Sequence, residues 1–299
     1  MCLKGGIMQN INNISILKYG LISVVLCFII SLLVFMQFPL DEAVFLKHYY
    51  DIEINNNTYM NIHYITSSID TRRINEIKFP HMPDDFAYVN ISYFNNGHEY
   101  GYYNIEKFAH YNYNVISLEF NTKKLYQEEN KEETVILDKA VVIYNNGDEQ
   151  EVDIGKIVLH KNSMSTESLT STFVSSTNDN TSTSEFISND NLVINSISSY
   201  LDEDIKDIFK LTLDGKDINQ INYPIKITPD DSLTFDSQFK FDSQDLKRYN
   251  VYEIQKRISL IDSEGNQGIM RIHNLDYEPL DIFLREKDII KYLKETGVR

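Results

Sequence analysis

The chain has 299 residues, with 28 Lys and Arg against 44 Asp and Glu, a net charge of −16, two Cys and no Trp. That length suits one large or two ordinary domains with real cores, and a hydrophobic content of 42% excludes a disordered chain. Lys4 and Lys18 are the only charges before Asp41, so the acidity falls entirely in residues 41–299, and nucleic acid is not an expected partner.

An uncharged run at 19–38, rich in Leu, Ile, Val and Phe, is long enough at about 1.5 Å per residue to cross about 30 Å of hydrocarbon, and predicts a transmembrane anchor. Lys4 and Lys18 before it, with Asp41 and Glu42 after it, predict a cytoplasmic tail at 1–18 and an extracytoplasmic bulk, a single-pass cell-membrane protein. A cleaved signal peptide is the competing reading, but the run exceeds an ordinary signal core and no small-x-small pattern precedes Asp41. Cys27 lies mid-run behind Leu26 and reads as a buried apolar residue. Since Cys2 is the other cysteine, no disulfide, thiolate metal site or Cys nucleophile is expected in 41–299. An exterior without bridges fits a bacterial surface.

Short runs of period-2 alternation follow at 50–54, 59–65, 74–79, 88–94, 115–120 and 135–137. Val141, Val142, Ile143 and Tyr144 lead into Asn145-Asn146-Gly147-Asp148 and return through Val152 and Ile154, a strong hairpin signal because Asn-Gly accepts positive φ cheaply. Gly155 is expected to break that strand before Ile157 starts another. Residues 41–161 therefore predict a first β domain. At 162–191 Ser, Thr, Asn and Asp dominate, too little apolar surface to offset ordering entropy, and a flexible linker is expected. A glycosylated stalk is the alternative there, with Asn180-Thr181-Ser182 as a sequon.

The strand pattern returns at 192–278, with hairpin chemistry at Asp214-Gly215 and turns at Pro229-Asp230-Asp231-Ser232 and Asp262-Ser263-Glu264-Gly265. That density of short strands predicts a second, Ig-like domain. From Pro279 the period becomes helical through Leu280, Phe283, Leu284, Ile290 and Leu293, with Gly297 as a stop, so 279–297 predicts a C-terminal helix. Its apolar stripe is expected to pack on the second domain, with partner binding as the sharper alternative. The expected fold class is mainly β: an N-terminal transmembrane helix, two antiparallel β-sandwich domains and a short C-terminal helix.

No phosphate-cradling P-loop, dinucleotide fingerprint, H-E-x-x-H helix or G-x-S-x-G elbow occurs, so no catalytic residue is assigned. His48, His63, His81, His98, His110, His160 and His273 are scattered without metal-ligand spacing. No cofactor is expected, and calcium is the ion to consider: Asp202, Asp204 and Asp207 crowd hard oxygens, although that run lacks the Gly of an EF-hand loop. Aromatics crowd 88–113, and Tyr100, Tyr102 and Tyr103 are the partner-binding candidates, against ordinary strand packing.

Lys139-Ala140-Val141-Val142-Ile143-Tyr144-Asn145-Asn146-Gly147 and Asp153-Ile154-Gly155-Lys156-Ile157-Val158-Leu159, followed by the Ser/Asn segment and a second β part, resemble uncharacterised single-pass surface proteins of AT-rich Gram-positive bacteria. The resemblance implies location and architecture but no activity. The expected function is a membrane-anchored, non-catalytic module that binds an envelope protein partner or serves a transport complex. A cell-envelope enzyme with a site assembled from distant residues is the alternative.

Overall fold

The computed structural model describes residues 4–35, 39–54, 58–89, 92–94, 98–100, 102–121, 134–161, 168–177 and 179–299. Helix α1 (Lys4–Phe35) precedes strands β1 (Val44–Phe45), β2 (His48–Ile54), β3 (Tyr59–Ser67), β4 (Ile74–Lys78), β5 (Ala87–Val89), β6 (Ser92–Phe94), β7 (His98–Tyr100), β8 (Tyr102–Lys107), β9 (Tyr111–Phe120), β10 (Thr134–Tyr144) and β11 (Glu149–Lys161). Then come β12 (Leu169–Ser176), β13 (Thr181–Ser188), β14 (Leu192–Ser198), a single turn α2 (Asp202–Ile205), β15 (Phe209–Leu213), β16 (Lys216–Asp217), β17 (Ile225–Ile227), β18 (Ser232–Phe239), β19 (Val251–Ile261), β20 (Gln267–Tyr277) and helix α3 (Glu286–Glu295).

An eight-stranded sheet forms the frame, in the order β17-β14-β19-β2-β11-β10-β4, with β20 also paired to β19. Its alternating strands bury both faces. Tyr50, Ile52 and Ile54 of β2 join a core with Ile62, Ile116 and Leu118 of the five-stranded sheet β1-β3-β9-β5 plus β8. Tyr49, on the other face, stacks on Tyr252 at 5.3 Å between ring centroids, within a second core that holds Leu233 and Phe235 of the sheet β12-β13-β18-β15-β16. Each fully buried Leu, Ile or Phe contributes about 1.5–3 kcal/mol, so the frame is stabilised from both sides.

Several expectations are corrected. Helix α1 is described over Lys4–Phe35 and carries Gln9, Asn10, Asn12 and Asn13, and residues 36–38 of the expected span lie outside the described residues. Among the described residues no helix is long and apolar enough to cross a membrane. The anchor at 19–38, the cytoplasmic tail at 1–18 and the single-pass cell-membrane placement are overturned with it. Cys27 is exposed, not buried.

The expected pair of antiparallel Ig-like sandwiches is also overturned. Strand β2 pairs in parallel with both of its neighbours, Gly155 to Lys161 of β11 on one side and Val251 to Ile254 of β19 on the other. The second pairing carries one sheet across the expected domain boundary. Within the expected linker, β12 and β13 form a hairpin that extends to β18. Thr suits a strand, and inward positions of β13 are filled by Ser182, Ser184 and Phe186, with Ser182 Oγ and Ser237 Oγ hydrogen-bonded at 2.7 Å. Residues 162–167 and 178 lie outside the described residues.

Gly155 does not break its strand. At φ +100° it sits inside β11, and a Cβ there would lie 2.4 Å from the His48 carbonyl oxygen, so glycine admits the close parallel approach of β2. The C-terminal stripe begins as a 3-10 turn at Pro279–Phe283, and α3 follows. Phe283, Ile289, Tyr292 and Leu293 pack in the first core, not against the second part as expected, while Leu284 is exposed.

Candidate functional site

The C-terminal end of β20 and the segment after it, Asp276 to Leu280, face the β12–β13 turn and the end of β18 across a cavity of about 320 Å³. Ser176, Thr177, Asn180, Thr181, Ser182 and Ser237 supply its hydroxyl and amide groups, Phe239 and Tyr277 its rings, and Asp276 and Glu278 its charge. The turn that shapes this wall depends on Asn180, which adopts φ 62°, a left-handed conformation Asn accepts more readily than most residues. A cavity of this size suits a small ligand or one side chain.

Behind the acidic wall lies Glu253, directly opposite Asp276 in the β19–β20 ladder. Burial raises its carboxyl to about 7, and the neighbouring Asp276 and Glu278 push the same way. Burial and Asp276 likewise raise Glu278. Among the described residues none of these three carboxylates forms an ion pair with Lys or Arg. Other acids near the frame are paired: Asp153 with Lys47, Asp204 with Lys156, and Glu53 with Arg271.

Glu278 also touches the first core. His63, 1% exposed, brings Nε2 to 3.9 Å from Glu278 Oε1, and that nitrogen has no hydrogen-bond partner among the described residues. His63 Nδ1 lies 2.9 Å from the Tyr113 hydroxyl. The His63 backbone N–H donates to His48 Nε2 at 2.9 Å, which fixes the His48 proton on Nδ1, 3.3 Å from the Ile154 carbonyl. Burial holds His48 well below its ordinary pKa, and burial brings His63 to about 4. Both imidazoles are therefore neutral at pH 7, and neither balances the acidic wall. Burial also raises Tyr113, so its phenol keeps its proton.

The candidates named from the sequence fall elsewhere. Asp202, Asp204 and Asp207 do not converge: Asp202 accepts from the Ser199 N–H and pairs with Lys256, Asp204 pairs with Lys156 at 2.7 Å, and Asp207 lies 3.7 Å from Lys247. Among the described residues no three His, Cys, Asp or Glu side chains are placed to hold a metal ion. Tyr100 ends β7, and Tyr102 and Tyr103 lie in β8, but their side chains are outside the described residues. Of the same aromatic stretch, Tyr111 and Tyr113 are core and Tyr88 is exposed. Sequence reading gave His63 no role and missed Glu253, Asp276 and Glu278; the four come from β3, β19 and β20 and its continuation and share no local spacing.

No family model matches the chain, and no curated protein matches it. Among solved structures, a protein of unknown function from Porphyromonas gingivalis W83 is similar at 9% identity, over 77% of this chain and 96% of that chain, with a TM-score of 0.21. A likeness at that score carries no argument about fold or function.

Proposed function

We propose that this chain is a non-catalytic binding module and that its acidic cavity receives a cationic group, the lysine or arginine side chain of a protein partner. The observation that carries the reading is the pair Asp276 and Glu278, which line a cavity without a Lys or Arg counter-ion among the described residues. An ammonium or guanidinium group entering there would neutralise the Glu278 carboxylate, which burial penalises, and hydroxyls of Ser176, Thr177 and Ser182 would accept its remaining hydrogen bonds. Phe239 and Tyr277 offer apolar surface to the methylene stem. Titration with an acetylated, amidated Gly-Lys-Gly tripeptide and its norleucine counterpart tests this. The lysine peptide is expected to bind and the norleucine peptide not to; equal behaviour of the two removes the reading.

A further inference from the structure

A second polar cluster, apart from the acidic cavity, lies where β2 and β14 occupy successive stretches of the same edge of β19. Val251 to Ile254 pair with β2, an irregularity follows between Ile254 and Lys256, and Arg257 onward pairs with β14. Arg257 stands directly opposite Arg271 of β20, an arrangement in which like charges repel. Arg271 is 6% exposed. Its Nε is ion-paired with Glu53 Oε2 at 3.2 Å, and Nη1 is buried without an acceptor among the described residues. Arg257 Nε is buried without one as well.

The other acid that bears on Arg271, Asp51, is also held by bonds of its own. Asp51 is fully buried and already accepts from His160 Nε2, from Ser199 Oγ at 2.5 Å and from the Tyr200 N–H at 2.7 Å. Those bonds, together with the charge of His160, more than offset the burial that would raise its carboxyl, and hold it below the ordinary carboxylate value. Glu53 and Asp51 both attract the Arg271 guanidinium, while Arg257 opposite repels it. At the rim the Arg257 guanidinium lies 4.3 Å from the Tyr200 ring centroid, and Tyr200 in turn stacks on His160. The Tyr200 hydroxyl is 3.5 Å from Thr134 Oγ1, which is 3.2 Å from His160 Nδ1.

We propose that Arg257 and Arg271, with the hydroxyls of Tyr200 and Thr134 at the rim, form a binding site for an oxyanion, the phosphate or carboxylate group of a small ligand. Planar guanidinium groups that keep buried N–H groups without an acceptor match both anions in a bidentate manner, and an anion between them offsets the repulsion of the opposed pair. The two sources are separated by the probe.

Thermal unfolding of the full chain is measured in increasing inorganic phosphate, acetate or chloride at matched ionic strength. Phosphate or acetate is expected to raise Tm saturably above the chloride control, because a ligand held by the folded state alone stabilises it by mass action, and the anion with the larger rise identifies the class. In R257Q, a change at a half-buried position, the rise is expected to disappear, while K206Q, a change at an exposed residue away from the cluster, keeps it. Should R257Q fail to fold, R257K retains the charge without the fork and is expected to weaken the apparent affinity at least tenfold. No rise over chloride for either anion, or an unchanged response in R257Q or R257K, overturns the site.

Discussion

His63 Nε2 ends 3.9 Å from Glu278 Oε1, and this pair joins the interior of the first core to the wall of the acidic cavity. The imidazole is held neutral by burial, so it gives the carboxylate no positive charge to lean on. The wall keeps an uncompensated charge, which is the physical basis for reading it as a receptor for a cation.

The protonation of His63 is directly measurable. Its pKa falls from 6.5 in the unfolded chain to about 4 in the fold, so the unfolded state binds the extra proton between those values. The stability it contributes is fully present above pH 6.5 and is lost as pH falls toward 4. An NMR titration of the folded chain should show a neutral His63 imidazole at pH 5.5; a midpoint near 6.5 would mean that the ring is hydrated.

Glu253 shifts in the opposite direction. Its carboxyl rises from 4.5 to about 7, so the folded state holds the proton more tightly, and the associated stability is present below pH 4.5 and lost as pH rises through about 7. Glu253→Gln should leave stability unchanged near pH 4 and raise it by about 3 kcal/mol at pH 8, at about 1.4 kcal/mol per pK unit. Urea unfolding at both values tests this, and a variant that is equally neutral or destabilising at both contradicts it.

Gly155→Ala probes the parallel junction of β2 and β11. The added methyl would meet the His48 backbone at 2.4 Å on a residue with φ +100°. A loss of about 2–4 kcal/mol is expected, from backbone strain together with overpacking. Chemical denaturation measures it, and a change below about 0.5 kcal/mol, the range of ordinary surface substitutions, would show that the two strands do not approach as described.

The chain crosses from one half of the frame to the other at more than one place, which gives a proteolytic test. Cleavage in the β12–β13 turn at 177–180 should leave two fragments that elute together, because β2 remains hydrogen-bonded to β19 and both strands lie in one sheet. Fragments that separate without denaturant would show two independent domains.

Much of the β content was legible because its signals are local. The alternation in β3, β4 and β19 was visible, as were the Asn146-Gly147 and Asp214-Gly215 turns, where Gly147 and Gly215 adopt positive φ. Strands β12 and β13 were not, since β12 is mostly exposed and the inward positions of β13 are largely small hydroxyl residues that composition assigns to a linker. Nor was the parallel placement of β2, whose partners lie far along the chain and whose contact with β11 depends on Gly155, a residue that reads as a breaker. The candidate site was hidden for the same reason. Asp202, Asp204 and Asp207 drew notice because they cluster in sequence, yet lysines answer each of them, while Glu253, Asp276 and Glu278 become a cluster only through the β19–β20 pairing and the segment that follows it.

Calorimetric titration of the lysine tripeptide at pH 5.5 and pH 8 tests the central claim most directly. Ionisation of Glu253, whose carboxyl burial raises to about 7, adds negative charge behind the cavity, so affinity should be at least fivefold greater at pH 8, and Glu278→Gln, which removes a lining carboxylate, should weaken binding at pH 8. Binding that is equal at the two pH values, or equal in the wild type and Glu278→Gln, would contradict the assignment of the cavity as the cation site.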